Sequence, residues 1–390
     1  KLGLVRREAG KWTSDHPAVR EHLAAFLAAA PDGQPHTIIE SVSGQAGDPD
    51  SGHGIVVQDG TSSTISGNRI QTVRSDGIRV ANATHATLEH NVIGIADGTG
   101  IAILDGIYAM VVENEVHQAG QAAFALSGTA NAVFTGNRIL ASAGDGIRVM
   151  SASYVNISGN ELGRIDLNGI VVVDSPDGQI TGNTVEFAGR NAVLIVDGTN
   201  LLISENLIAR AVGNGIDIRG GDYAGSLTLN SISDAQTGIN MALAGALQGQ
   251  ISSNTLVANR AYGIFLQAGQ FAVGSLVAAN MVDTSEREGI YVLATGPGPS
   301  TLTVLGNDLV LNNLDDDTDH HREFLARLAS GAGPMTVELL ENKSYNMLAA
   351  PEYNFDFLNA GTSDFWIVTD PGLPNLGTIG SSDGSVPPPP

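Results

Sequence analysis

The segment GIRVMSASYVNISGNELGRIDLN, Gly146–Asn168, is one copy of a 23-residue unit that recurs along the chain. Its first marker is a Gly-Ile pair, and its second is an asparagine, Asn160 in this copy. Both markers return in steps of 23 residues or multiples of 23. The pairs begin at Gly54, Gly77, Gly100, Gly146, Gly169, Gly215 and Gly238, and the asparagines are Asn68, Asn91, Asn114, Asn137, Asn160, Asn183 and Asn206.

Apolar residues alternate with polar ones inside each unit, which is the pattern of β-strands. Ile147 and Val149 follow the glycine in this way, and Ile157 and Leu162 flank the asparagine. Each unit therefore predicts three short strands. Three short strands cannot bury an apolar face alone, so the units must stack on one another. The in-phase asparagines fit a tight turn, where each amide can bond the asparagine of the next unit.

These units resemble the right-handed parallel β-helix superfamily, which includes pectate lyases, polygalacturonases, alginate epimerases and phage tailspikes. The resemblance covers residues 54–310, about two thirds of the chain. It implies an all-β, single-stranded right-handed parallel β-helix of about 11–12 coils. It also implies that the Gly-Ile strand lies in the first sheet, with the strands before and after the asparagine in the second and third. The fold carries many functions, so it assigns none by itself.

The sequence divides into four predicted segments around this core. We expect an N-terminal cap with a short helix at residues 16–30, because an open terminal coil invites polymerisation. A helical insertion is predicted at about residues 320–329, with a last coil around Asn342. An aromatic tail and a proline-rich end follow. The predicted segments are 1–53, 54–310, 311–346 and 347–390.

Charge and composition exclude several classes of function. Aspartate and glutamate outnumber lysine and arginine 41 to 19, giving a net charge of −22. This balance argues against nucleic acid, whose affinity for proteins comes mostly from basic side chains at phosphates. No apolar run approaches the roughly 20 residues that span a bilayer. The absence of cysteine excludes disulfides and thiolate chemistry.

The residue before each Gly-Ile pair is the strongest candidate for catalysis. His53 and Asp76 occupy this position in adjacent coils, and Arg79 lies on the same strand as Asp76. A histidine, a carboxylate and an arginine could abstract a proton from a uronate and neutralise its carboxylate. The sequence SGHGI also resembles the Gly-His-Gly element of polygalacturonases, whose other acidic elements are missing here. The alternative is a turn of the terminal coil that carries a surface salt bridge.

Two Asp/Arg pairs repeat this arrangement and form the candidate binding residues. They are Asp145 with Arg148 and Asp217 with Arg219. Either the pairs bind anions, or each pair satisfies itself across its strand.

Asp315, Asp317 and Asp319 alternate in an acidic loop and are candidate Ca²⁺ ligands. The alternative for this loop is the N-cap of a helix. No other cofactor is indicated.

An apolar stripe marks the outward face of the first predicted sheet. A stripe of this extent is larger than a soluble monomer normally exposes, so we expect the aromatic tail or a second copy of the chain to cover it. Its residues are Val56, Leu104, Met150, Val171, Val173, Leu194, Val196, Phe265, Tyr291 and Leu293.

The sequence favours an extracellular structural or adhesive module, such as part of a surface protein, fibre or spike, that binds glycans without cleaving them. The coil length is constant from 54 to 238, so no long loops build the walls of a cleft. The net charge also repels polyuronates unless Ca²⁺ bridges the two. The alternative is a polysaccharide lyase or C5-epimerase that acts on a uronate polymer. We expect an extracellular or cell-surface location, with the periplasm as the alternative.

Overall fold

The computed structural model describes residues 5–8, 11–14, 38–42, 51–312, 323–345, 354–360, 364–369, 375, 379–381 and 385–386. Regular structure in these ranges is entirely β, and the chain divides into two compact units, Lys1–Gly189 and Arg190–Pro390. Among the described residues, no helix has the length and apolar character needed to cross a membrane. The helix predicted at 16–30 and the acidic residues Asp315, Asp317 and Asp319 lie outside the described residues.

In the first unit, three parallel sheets each take one strand from every turn of the chain. The first sheet contains Ile55–Gln58, Ile78–Ala81, Ile101–Leu104, Phe124–Ser127, Ile147–Met150 and Ile170–Val173. The second contains Thr64–Ser66, Thr87–Glu89, Met110–Val112, Val133–Thr135, Asn156–Ser158 and Gln179–Thr181. The third contains Ile38–Val42, Arg69–Val73, Val92–Ala96, Glu115–Ala119, Arg138–Ser142, Glu161–Ile165 and Thr184–Ala188. An antiparallel hairpin pairs Val5–Glu8 with Lys11–Ser14.

The second unit repeats this arrangement with longer turns. Its first sheet contains Val193–Val196, Ile216–Gly220, Ile239–Leu243, Ile264–Ala268, Ile290–Ala294, Phe324–Leu328, Phe355–Asn359 and Ile379–Gly380. Its second contains Leu202–Ser204, Ser226–Thr228, Gln250–Ser252, Ser275–Ala278, Ser300–Leu305, Met335–Leu340 and Phe365–Val368. Its third contains Leu207–Ile208, Ser231–Ser233, Thr255–Val257, Met281–Asp283, Asp308–Val310 and Lys343–Tyr345. A small parallel pair joins Ala246–Leu247 to Gln270–Phe271.

The predicted all-β parallel β-helix is thereby confirmed, with about 13 turns instead of 11–12. Strands pair in register one turn apart, so that Ile147 lies beside Phe124 and Ile170. The alternation predicted from the sequence places Ile147, Val149 and Leu162 in the core, where they are fully buried. The glycine of the repeat marks a close approach, because a Cβ at Gly146 would lie 2.5 Å from the carbonyl oxygen of Gly169.

A ladder of buried asparagines runs through each unit, as the sequence predicts. In the first unit each side-chain amide donates to the Oδ1 atom of the next asparagine at 2.8–3.1 Å. The same Oδ1 also accepts the backbone amide of the preceding asparagine. In the second unit the ladder joins Asn206, Asn230, Asn254, Asn280, Asn307, Asn342 and Asn375. Asn342 is thus a member of the ladder, and Asn375 extends the series.

The helix predicted at about 320–329 is wrong where the structure describes it. Residues Phe324–Leu328 form a strand that pairs with Ile290–Ala294 on one side and Phe355–Asn359 on the other. The residues of this segment alternate less clearly than those of the repeats. Nevertheless Phe324, Ala326 and Leu328 are fully buried. Pairing with two neighbouring strands therefore outweighs the local preference for helix.

The described part of the aromatic tail does not fold back over the first sheet. Phe355–Asn359 joins the first sheet as a further strand, and Phe365–Val368 joins the second. Phe355 and Phe357 are buried inside this turn, beside Phe324. The predicted cover is therefore wrong for these residues. Most of the apolar stripe is half-buried because outward side chains one turn apart, at about 4.8 Å, cover one another.

A second series of buried polar residues in the second unit, Ser285 and Asn312, ends at the carboxyl group of Glu323. The Oδ1 atom of Asn312 accepts the backbone amide of Ser285, and the Asn312 side chain donates to Glu323 at 2.6 Å. The backbone amide of Asn312 also donates to Glu323, at 3.1 Å. Burial raises the pKa of Glu323 from 4.5 to about 7, and the nearby Asp283 acts in the same direction.

We predict that replacing one ladder asparagine destabilises the fold strongly. Asn137 accepts two hydrogen bonds from Asn114 and donates to Val111 and Asn160. Asn137→Ala leaves several of these buried groups without a partner and should lower the free energy of unfolding by about 3 kcal/mol. Urea unfolding followed by circular dichroism measures the change. Asn82→Gly, which tolerates the left-handed φ of 51° at this position and removes only an exposed bond to Asp59, should cost less than about 1 kcal/mol; equal costs would contradict a stabilising ladder.

We also predict that stability depends on the titration of Glu323. Its folded pKa is raised, so the protonated carboxyl stabilises the fold below about pH 4.5, and this contribution is lost as the pH rises through about 7. The loss amounts to about 3 kcal/mol. Glu323→Gln cannot titrate, so the wild-type protein should lose about 3 kcal/mol of unfolding free energy relative to this variant as the pH rises from about 4.5 to 7. A difference that stays constant with pH would show that Glu323 is already ionised when folded.

Candidate functional site

The residue before each Gly-Ile pair has a structural partner that its sequence position does not reveal. In four turns the side chain at this position, or at its equivalent, accepts the backbone amide of the corresponding residue one turn later. His53 accepts from Asp76 at 3.1 Å and Asp76 from Thr99 at 2.9 Å. Asp145 accepts from Asn168 in the same way, and Asn191 accepts from Asn214 in the second unit. Each of these side chains therefore holds one turn against the next.

The predicted catalytic residues do come together in the first unit. Asp76 lies 3.4 Å from the Nδ1 atom of His53 and 3.4 Å from a terminal nitrogen of Arg79. The Nε2 atom of His53 lies 3.5 Å from the hydroxyl of Ser75. His53 and Asp76 are both buried, whereas Arg79 is partly exposed. The cluster therefore presents mainly the arginine to solvent.

The hydrogen bonds of His53 define the tautomer of its neutral ring. Because Nδ1 accepts the backbone amide of Asp76, the neutral ring carries its proton on Nε2. In this tautomer Nε2 can donate a hydrogen bond, and Nδ1 cannot accept a proton without losing the bond between the turns. One oxygen of Asp76 is likewise held by the amide of Thr99. The catalytic assignment of these three residues stays a prediction.

Asp145 and Arg148 form an ion pair in the structure, and their assignment as binding residues stays a prediction. Arg148 donates to one oxygen of Asp145 at 2.9 Å, and Asn168 donates to the other oxygen through its backbone and its side chain. Asp145 is buried, and Arg148 is about one third exposed. An anion at this position would compete with Asp145 for the guanidinium.

Asp217 forms the most densely bonded carboxylate in the described part of the second unit. Its side chain is 0% exposed although it lies on the outward face of the first sheet. One oxygen accepts Arg219 at 2.6 Å and Asn191 at 3.0 Å, and the other accepts Asn240 at 2.7 Å. The hydrogen bond to Asp217 raises the pKa of Arg219 above its ordinary value. The guanidinium, which is half exposed, therefore stays charged and points a polar group toward solvent.

Three aromatic rings lie along the same sheet as Asp217. Phe265 pairs directly with Tyr291, and their ring centroids are 5.2 Å apart at 90°. Tyr262 contacts both rings, at 5.3 and 5.5 Å. Arg287 lies over the ring of Tyr262 and donates to its hydroxyl at 3.0 Å. All three rings are half-buried, so each presents part of its surface to solvent.

The polar and aromatic groups form one outward column. Strand register places Asp217 beside Asn240, Asn240 beside Phe265, and Phe265 beside Tyr291. We call Asp217, Arg219, Asn240, Tyr262, Phe265, Tyr291 and Arg287 the column site. The sequence analysis placed Phe265 and Tyr291 in an apolar stripe and missed their contact with Tyr262. The signal was an aromatic side chain at matching positions of two successive turns.

Metal binding finds no support among the described residues. They contain no group of three histidine, aspartate or glutamate side chains arranged to hold an ion. The candidate Ca²⁺ ligands Asp315, Asp317 and Asp319 lie outside this part of the chain.

Comparison with known proteins finds the same repeat architecture. Residues 95–232 match the family described as "Right handed beta helix region". No curated protein matches the sequence. A mutant of the periplasmic alginate epimerase AlgG is similar in structure, with a TM-score of 0.42 and 12% identity over 81% of this chain and 75% of that chain.

Two further solved structures are similar. The GH87 alpha-1,3-glucanase catalytic unit from Streptomyces thermodiastaticus strain HF3-3 has a TM-score of 0.40 and 15% identity over 93% of this chain and 73% of that chain. Tailspike protein 2 from Escherichia coli O157:H7 bacteriophage CAB120 has a TM-score of 0.36 and 10% identity over 94% of this chain. Only 46% of the tailspike chain is covered.

We predict that the Asp217 carboxylate is a strong determinant of stability. Asp217→Asn replaces one carboxylate oxygen, an acceptor, with an NH2 group, which then faces the donating amide of Asn191 or Asn240. Arg219 also loses its counter-charge. The free energy of unfolding should fall by about 3 kcal/mol. Asp234→Asn is the matched control, because Asp234 also pairs with an arginine, Arg210, but is half exposed. Its change should stay below about 1 kcal/mol, and equal losses in urea unfolding would refute a special role for Asp217.

Proposed function

We propose that this chain is a polysaccharide-binding β-helix module of an extracellular or cell-surface protein, and that the column site holds the glycan. The observation that supports the proposal is the contact of three half-exposed rings with a row of polar groups. Aromatic faces carry partial negative charge and attract the C–H faces of sugar rings. The Asn240 amide and the Arg219 guanidinium can bond sugar hydroxyls beside them.

The direction of the column favours an extended chain as the ligand. Successive turns lie about 4.8 Å apart, so the positions of Asp217 and Tyr291 are separated by three turns, or about 15 Å. A polymer laid along the column can contact every turn, whereas a single sugar can contact only one or two. The net charge of −22 favours a neutral glycan over a polyuronate, because like charges repel at long range.

Binding without cleavage is the role that the described residues favour. Both oxygens of Asp217 already accept hydrogen bonds, and the side chain is fully buried. A general acid or base needs an oxygen within reach of the substrate. Asp356, on a later strand of the same sheet, is also buried. Asp217 and Asp356 are therefore unavailable as a general acid or base.

The second candidate function is a polysaccharide lyase or C5-epimerase. It is favoured by the approach of His53 and Arg79 to within 3.4 Å of the Asp76 carboxylate. Incubation with uronate polymers separates the two functions. A lyase creates unsaturated ends that absorb ultraviolet light, and an epimerase changes the proton NMR spectrum of the polymer. Turnover that His53→Ala abolishes would support the enzyme and overturn the binding role.

We predict that Phe265→Ala and Tyr291→Ala each weaken polysaccharide binding about fivefold, since a lost aromatic contact costs about 1 kcal/mol. Affinity electrophoresis in gels that contain neutral polysaccharides measures the effect. Trp366→Ala is the control, because this exposed aromatic lies on the second sheet. Failure of every polysaccharide to retard the wild-type chain would contradict the proposed function, as would equal effects of all three variants.

A further inference from the structure

A second feature on the first unit lies at the turn between the first and second sheets. Two residues of each turn adopt the left-handed conformation there, and the second of them has φ between 53° and 58°. The backbone amide of one member donates to the carbonyl of the residue just before the next member, as Tyr108 does to Ala130 and Asn131 does to Ser153. We call this series the turn column; its members are Ser62, His85, Tyr108, Asn131, Tyr154 and Asp177.

The two tyrosines are unusual members of the turn column. The left-handed region favours glycine, asparagine and aspartate, and it is costly for bulky side chains. Tyr108 and Tyr154 nevertheless adopt it, with φ of 58° and 57°. Strained conformations of this kind concentrate at functional sites. The rings also gain little from burial, since they are 50% and 62% exposed.

The ring of Tyr108 is oriented by a neighbour. His85, one turn earlier, stacks on it with ring centroids 4.9 Å apart and planes inclined by 21°. One face of Tyr108 is therefore covered, and the other faces along the column toward the position of Asn131. Tyr154 lies one turn beyond Asn131 and has nearly the same φ as Tyr108, so its side chain leaves the backbone in the same direction.

Asn131 occupies the same position in the turn between those of Tyr108 and Tyr154. Its backbone amide bonds Ser153, but within the described residues its side-chain amide forms no hydrogen bond. The side chain is partly exposed. It offers one donor group and one acceptor to whatever lies between the rings.

From this arrangement we propose that Tyr108, Asn131 and Tyr154 form a slot that binds one pyranose ring of a neutral glycan. Turns stack at about 4.8 Å, which places the two tyrosine positions about 10 Å apart. One ring inserted at the level of Asn131 then lies about as far from each tyrosine as His85 does from Tyr108. The bound sugar ring thus continues the stack of His85 and Tyr108 toward Tyr154.

A saturated sugar ring suits this slot better than a flat aromatic ring. A pyranose presents C–H groups on both faces, which two tyrosine faces can contact together, and hydroxyls at its edge, which the Asn131 amide can bond. The common flat guests are the bases of nucleotides, whose phosphates a chain of net charge −22 repels. The slot belongs to the first unit and the column site to the second, and the two share no residue.

Saturation-transfer NMR with cellohexaose, maltohexaose and xylohexaose tests the proposal. The experiment uses the full chain carrying Phe265→Ala and Tyr291→Ala, so that the column site does not contribute. At least one hexasaccharide should bind, and adding Tyr108→Ala or Tyr154→Ala should weaken its binding at least tenfold. Tyr345→Ala, an exposed tyrosine on the third sheet of the second unit, should leave binding unchanged.

Tyr154→Asn separates binding from folding. Asparagine suits the left-handed conformation, as Asn131 shows, so this variant should unfold at the same temperature as its parent or higher while losing the sugar. Retained binding in Tyr108→Ala and Tyr154→Asn would overturn the proposal, as would failure of all three hexasaccharides to bind. Preferential binding of indole over every sugar would overturn it too, because the slot would then select flat rings.

Discussion

The hydrogen bond between asparagines one turn apart is the interaction on which the rest of the structure depends. Each side-chain amide satisfies a neighbour that no water can reach, so the turns must stack in one register. A shift of the strand register by one residue would bury polar side chains and break the hydrogen bonds of the whole ladder. The cost of that slip explains why turns of 33 or 35 residues in the second unit still return an asparagine to the same position.

Fixed register converts a period in sequence into columns in space. Residues that are 23 apart become neighbours at about 4.8 Å, so any side chain repeated in phase meets its counterpart. The structure uses this rule in three ways. It builds hydrogen bonds between turns at His53 and Asp76, an aromatic cluster at Phe265 and Tyr291, and a stacked pair at His85 and Tyr108.

Burial decides which of these groups face a ligand. Asp217 and Asp76 look alike in sequence, and both are largely consumed by bonds within the protein. The groups left to meet solvent are the partly exposed rings and the cationic ends of Arg219 and Arg287. Since rings and hydrogen-bond donors in an acidic protein suit uncharged, hydroxyl-rich ligands, the surface chemistry favours recognition of neutral glycans.

The sequence alone determined the fold, because a strict period with alternating apolar residues leaves few other ways to bury them. It also located the ladder and the Asp/Arg pairs. It failed at Phe324–Leu328, where pairing with two strands overrides a weak local pattern. Only the tertiary structure decided that Asp217 is buried, that Tyr262 joins Phe265 and Tyr291, and that Tyr108 and Tyr154 share a strained conformation. Those facts depend on which atoms neighbouring turns bring into contact, and a period fixes the spacing of residues but not the direction of their side chains.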